Sequence, residues 1–162
     1  MIDLTSERFE ELCGIYWEST TSRRVTRNQR LVAACSFYIQ KLSPFEVVWS
    51  QDVTNWLRLS DSNNAVNNLT TYNVLTRLTE QGLAVSYWEQ FESRQPRPPR
   101  VYHQLTEFGT AVAIQHIQEL RADELTRPNW MVVPELNGGF YEPANPRDFE
   151  VSHPAGALLA TQ

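Results

Sequence analysis

Arg94, Arg97 and Arg100 fall within seven positions, with Pro96, Pro98 and Pro99 among them. A guanidinium presents a planar fork of donors that fits a phosphate or the acceptor edge of guanine. Prolines stiffen the backbone, so arginines held this way lose less entropy on contact than arginines on a free loop. Upstream, "TTYNVLTRL" puts Thr70, Asn73 and Arg77 on one side of a helix, with Thr71 beside Thr70 at its start. Asparagine can pair with adenine, and arginine with guanine or phosphate. Threonines at a helix N-terminus can meet phosphates or base edges. The chemistry predicted for both groups is contact with nucleic acid. Each has a blander account: capping and solvation for the threonines and Asn73, an ion pair with Glu80 or Glu107 for Arg77, and balance of Glu89 and Glu92 for the proline-braced arginines.

Total charge argues the other way, since the 162-residue chain carries a formal −5. Its distribution removes the objection. Residues 1–22 hold one basic and five acidic residues, 23–105 ten and six, and 106–162 three and eight. The middle is a basic unit between acidic flanks, and local charge sets the field that a phosphate backbone meets. At 41% hydrophobic and 20% charged, the composition is that of one globular domain with additions. No apolar run approaches 18 residues, and "MIDLTSERFE" lacks the apolar stretch of a secretory signal, so a cytoplasmic protein is expected. Cys13 and Cys35 read as reduced core thiols, and three scattered histidines lack metal-ligand spacing. No carboxylate pair, nucleophile elbow or phosphate loop stands out. Neither enzymatic activity nor a cofactor or metal is expected.

Positioning the polar residues takes a run of helices and a hairpin. Phe9, Leu12, Cys13, Tyr16 and Trp17 predict a helix over 6–19, whose stripe must bury against the main core or a second subunit. A basic connector, with Arg23, Arg24, Arg27 and Arg30, leads into a helix over 27–42 that ends at "SPF". A third helix fits 51–59 with Ser50 as a cap, and a fourth fits 69–81, closed by Gly82. On the fourth, Tyr72, Val74, Leu75 and Leu78 are expected to face inward. The runs 83–91 and 101–105 read as strands, with the arginine–proline stretch as the hairpin tip. Thr106 caps a helix over 107–125 that is apolar on more than one side, through Ile114, Ile117 and Leu120 among others. Such a helix needs more than one partner, so its own domain and another subunit are expected. From Arg127 onward, prolines and glycines predict an extended tail with patches that dock on the body or a partner, then disorder.

Three helices followed by a hairpin make a winged helix-turn-helix, mainly α with a small β-hairpin. The expected units are an N-terminal helix at 1–22, a DNA-binding domain at 23–106, a C-terminal helix at 107–125 and a tail at 126–162. The stretches "TTYNVLTRLTEQGLAVSYWEQ" and "RPPRVYHQLTEFG" resemble the PadR family of bacterial transcriptional regulators. The resemblance rests on Tyr72, Arg77-Leu78, Gly82-Leu83, Trp88-Glu89, Arg97-Pro98, Arg100, Tyr102, Leu105-Thr106 and Gly109, spread over about 40 contiguous residues. Asn73 departs from the usual proline, Val101-Tyr102-His103 from the usual tyrosine pattern, and "DVTNWL" from a common Gly-Tyr pair. These departures bear on the register of DNA contact rather than on the fold.

The resemblance implies a homodimeric, sequence-specific binder of double-stranded DNA, most often a repressor, at the nucleoid of a bacterial cell. Two-fold symmetry implies a near-palindromic site. Thr70, Thr71, Asn73, Arg77, Arg94, Arg97 and Arg100 would touch DNA. The first and last helices would build the dimer through Phe9, Leu12, Tyr16, Ile114, Ile117 and Leu120. One specialised relative is a cyanobacterial clock modifier that represses a clock gene, and the motifs do not separate it from other members. Nothing selects an effector ligand. The alternative, from another class, is a winged-helix protein-interaction module without specific DNA binding. Such a module has no need of three arginines on a braced tip.

Overall fold

Apolar period and cap chemistry set the helices. The computed structural model describes residues 3–19, 25–89, 97–122 and 128–146. Helix α1 spans Ser6–Glu18 after Thr5, whose side chain accepts the Arg8 amide. Helix α2 spans Arg27–Leu42 behind a capping box: Thr26 accepts the Gln29 amide, and the Gln29 carboxamide accepts the Thr26 amide. Strand β1 (Val48–Trp49) runs directly into α3 (Ser50–Ser60), and α4 follows over Asn68–Glu80. Strands β2 (Ala84–Trp88) and β3 (Val101–Leu105) pair antiparallel, and α5 covers Glu107–Ala122. The first four helices match their expected spans to within one residue.

The sheet departs from the expected hairpin. It has three strands in the order β1-β3-β2, with Val48 opposite His103 and Trp49 opposite Tyr102. Two residues are too few to show an alternation, so "VVW" left no strand signal. Pairing with β3 also makes Trp49 the N-cap of α3, with no side-chain cap bond, and Ser50 becomes the first helical residue instead of the cap.

Helix α2 is the spine of the core. Leu31, Val32, Ala33, Ala34, Cys35 and Ile39 are all buried, because α3, α4, α5 and the tail surround it. Helix α1 lies on α5. Leu12 and Cys13 pack with Ala111 and Phe108, Tyr16 meets Phe108 and His116 edge-on, and Arg8 pairs with Glu107. The dimer expectation for these side chains changes accordingly. Leu12, Tyr16, Ile117 and Leu120 are buried within their own chain, and Phe9 and Ile114 are half-buried. Within the chain, α1 covers one side of α5. Ile15 and Trp17 remain exposed on α1.

The tail returns to the body as far as it is described. Trp130 is fully buried against Tyr38, and its carbonyl accepts the Trp56 indole N–H at 2.9 Å. Tyr141 donates to buried Asp52 at 2.6 Å, and the Ala144 amide donates to the same carboxylate at 2.9 Å. Between these anchors lies a small hairpin of β4 (Glu135–Leu136) and β5 (Gly139–Phe140). Its turn, Asn137-Gly138, has φ of 51° and 80°, the left-handed pair that Asn-Gly favours in two-residue hairpins. Residues 147–162, where disorder was expected, lie outside the described residues.

Candidate nucleic-acid interface

Helix α4 is fixed at both ends and along one side. The Asn67 carboxamide accepts the Thr70 amide at 2.8 Å. Gly82, at φ 77°, lets the Leu83 amide fold back to the Leu78 carbonyl at 2.8 Å. The buried stripe is Thr71, Val74, Leu75 and Leu78, so the inward face begins one residue earlier than expected. Thr71 is accordingly not on the outer face. Its hydroxyl donates to the Asn67 carbonyl and accepts from Thr54 on α3, both at 3.1 Å. Tyr72 moves the other way: it is 41% exposed, with its ring edge-on to His103.

The outer face of α4 carries Thr70, Asn73 and Arg77, the first half-buried and the others exposed. Among the described residues, the Arg77 guanidinium makes no ion pair with Glu80 or Glu107; Glu107 is held by Arg8. On one flank, these residues and the start of α2 (Thr26, Asn28, Gln29) line a concavity of about 210 Å³. On the other flank, a concavity of about 380 Å³ separates Tyr72 from Trp49, Ser50 and the returning wing at Arg97–Val101. Of the connector arginines, Arg27 donates to Asn64 at 2.9 Å and Arg30 pairs with Glu119 at 3.2 Å, so both brace the fold. Arg23, Arg24 and Arg94 lie outside the described residues.

The two described wing arginines differ in their surroundings. Arg97 grips Glu89 with both terminal nitrogens, at 2.7 and 3.1 Å, and this bond raises its already high pKa. The Glu89 side chain is 0% exposed, and one of its oxygens also accepts the Arg100 amide at 2.9 Å. The Arg100 guanidinium lies 3.7 Å from the centre of the Trp49 ring, a cation–π stack. Glu89 and Trp49 were not among the expected site residues. The Trp-Glu pair of the family resemblance was the available signal for Glu89; β1, too short to read, hid Trp49.

His103 sits under this surface. It is 3% exposed, and its Nδ1 has no hydrogen-bond partner among the described residues. Burial pushes its pKa down to about 4, so the ring is neutral at ordinary pH. The tally of groups is thus an exposed polar helix face, one stacked arginine, one paired arginine and a neutral histidine beneath. That set can hydrogen-bond base edges and neutralise phosphates. Among the described residues, no group of three or more His, Cys, Asp or Glu side chains gathers as a metal site, and no helix is long and apolar enough to cross a membrane.

Among the described residues, five α-helices and a small antiparallel sheet, with α3 packed on α4 and β2 and β3 following α4, make the arrangement of a winged helix. No family model matches the chain, and no curated protein matches it. Among solved structures it resembles the circadian clock associated protein Pex from Anabaena, with a TM-score of 0.43 and 11% identity over 59% of this chain and 77% of that one. A PadR family transcriptional regulator from Eggerthella lenta gives 0.40 and 22%, over 57% and 76%. A PadR-like transcription factor from Bacteroides fragilis gives 0.41 and 26%, over 58% and 84%.

Proposed function

We propose that this chain is a sequence-specific DNA-binding transcriptional regulator. One observation carries the reading: the outer face of α4 offers Thr70, Asn73 and Arg77, with no ion pair to Arg77 among the described residues, beside a wing that bears arginines. In this reading α4 enters a major groove, where Asn73 and Arg77 meet base edges or phosphate, and the wing follows the flanking backbone. Thr71 is left out of the contact set because its hydroxyl is used inside the fold.

The fuller form of the proposal is a homodimeric repressor on a near-palindromic promoter site, with half-sites about one helical turn apart. The test is a shift and footprint assay on the chain's own promoter and on genomic fragments, clock-gene promoters among them, beside sedimentation of the free protein. A protected two-fold site supports the reading. Folded protein that binds no fragment more tightly than random duplex overturns it. The exposure of Leu69 (70%) and Trp88 (54%) favours the second reading, a protein-interaction module. In that case Leu69→Ser would abolish partner capture and Arg77→Ala would have no effect on it.

A further inference from the structure

We infer that Glu89 is a positioning residue of the wing: it bolts Arg97 in place and leaves Arg100, of the two described wing arginines, as the cation that meets the DNA backbone. This rests on the DNA-binding reading and deepens it.

The geometry of the wing's neck carries the inference. Glu89 follows β2 and closes on the start of the return strand by three contacts beyond its own amide. Its carboxylate takes both Arg97 terminal nitrogens and the Arg100 amide, while its amide donates to the Arg100 carbonyl at 3.0 Å. A carboxylate with no exposed surface is stable only while paired. A phosphate that drew Arg97 away would take two charge-assisted bonds from that buried carboxylate, whereas a surface arginine gains little from one phosphate in water. Arg97 therefore stays on Glu89 when DNA arrives. Arg100 is differently placed. Its main chain is fixed at both amide and carbonyl by Glu89, and its guanidinium is held flat by Trp49. A stacked guanidinium has in-plane donors to spare beyond its bond toward Tyr102, and it loses little freedom in offering them to another acceptor. The aromatic platform also lies beside Ser50 and Tyr72, so Arg100 and α4 face the same concavity.

The test uses the full chain and the duplex it binds best. Affinity is measured against salt for Arg97→Gln and Arg100→Gln, and amide hydrogen exchange at position 100 is followed in both and in Glu89→Gln. Protection of the Leu31 amide, in the core, reports that each variant is folded. Arg100→Gln should lower the slope of log affinity against log salt by about one and leave exchange at position 100 unchanged. Arg97→Gln should leave the slope unchanged, weaken binding about tenfold through a loosened wing, and speed exchange at position 100. Glu89→Gln should speed that exchange as well. A unit drop in slope for Arg97→Gln, an unchanged slope for Arg100→Gln, or exchange at position 100 indifferent to Glu89→Gln overturns the proposal. If the wild type binds no DNA, the reading beneath fails and takes the Arg100 role with it; exchange in Glu89→Gln still decides whether the bolt exists.

Discussion

Gly109 and Leu83 meet backbone to backbone: a β-carbon on Gly109 would lie 1.7 Å from the Leu83 carbonyl oxygen. That oxygen also accepts the Thr106 amide at 3.0 Å. The Thr106 hydroxyl donates to the Gly82 carbonyl at 2.8 Å and accepts the Gly109 amide at 3.0 Å. The start of α5 is thereby fixed to the start of the wing. Gly109→Ala should destabilise by about 3 kcal/mol or more, since main chain on both sides cannot yield as a flexible side chain would. Urea unfolding measures it, and a loss below about 1 kcal/mol would contradict the contact.

Neighbouring threonines should separate by phenotype. Thr71→Val removes a hydroxyl that is bonded inside the fold, so it should lower stability by about 1 kcal/mol and leave the salt slope of DNA binding alone. Arg77→Ala should leave stability within about 0.5 kcal/mol and cost about 1–3 kcal/mol of specific binding. Anisotropy titrations on bound and scrambled duplexes, beside urea unfolding, distinguish them. The same phenotype in both variants would mean that the face of α4 is misassigned.

Acidification should weaken the fold through His103. Its folded pKa of about 4 is below the ordinary value of 6.5, so the unfolded chain takes up a proton that the folded one refuses. Stability is complete above pH 6.5, declines as pH falls toward 4, and loses on the order of 3 kcal/mol over that window. His116, also lowered by burial and partly offset by Glu119, adds a decline of the same sign. His103→Phe should flatten the dependence in part. Identical pH profiles for the variant and the wild type would remove His103 from the account.

The tail anchor should be worth measuring by a single oxygen. Tyr141→Phe takes from the buried Asp52 carboxylate its 2.6 Å donor and leaves the Ala144 amide. Burial already pushes the Asp52 pKa upward against both bonds, so losing one should raise it further. A destabilisation of about 1–3 kcal/mol is expected, read from urea unfolding by tryptophan fluorescence. No change in unfolding would show that the Tyr141–Asp52 bond adds nothing to stability.

Where a residue's neighbours were close in sequence, its place could be read. Gly82 after α4, Thr106 before α5 and the Leu12, Cys13 and Tyr16 part of the α1 stripe are local chemistry and lie as expected, while Trp17 of that stripe stays exposed. Tyr72 misled because an aromatic was counted as core, although the spacing of 71, 74, 75 and 78 closes the stripe without it. The partner of α1 could not be read, since a stripe tells that a face is covered but not which chain covers it. The pairing of Arg97 with Glu89 was only one of two accounts, because choosing between a carboxylate and a phosphate takes the burial of Glu89, a tertiary fact. In the tail, "ELNGGF" held a hairpin signal that went unread among the prolines.

The seat of Trp130 bears on how the chain is made. Its ring packs edge-on against Tyr38 and its carbonyl takes the Trp56 N–H, yet it comes after α1 to α5 and the β1-β3-β2 sheet in the order of synthesis. A ribosome that has reached Ala122 has delivered every described element of the wing and still lacks a fully buried side chain of the main core. Domains generally fold as units during synthesis, and this one is not complete until residue 130 has been made. A product cut short before residue 128 would leave the Trp56 N–H without its acceptor and an open apolar socket. That is the kind of surface on which proteases sort unfinished chains from finished ones.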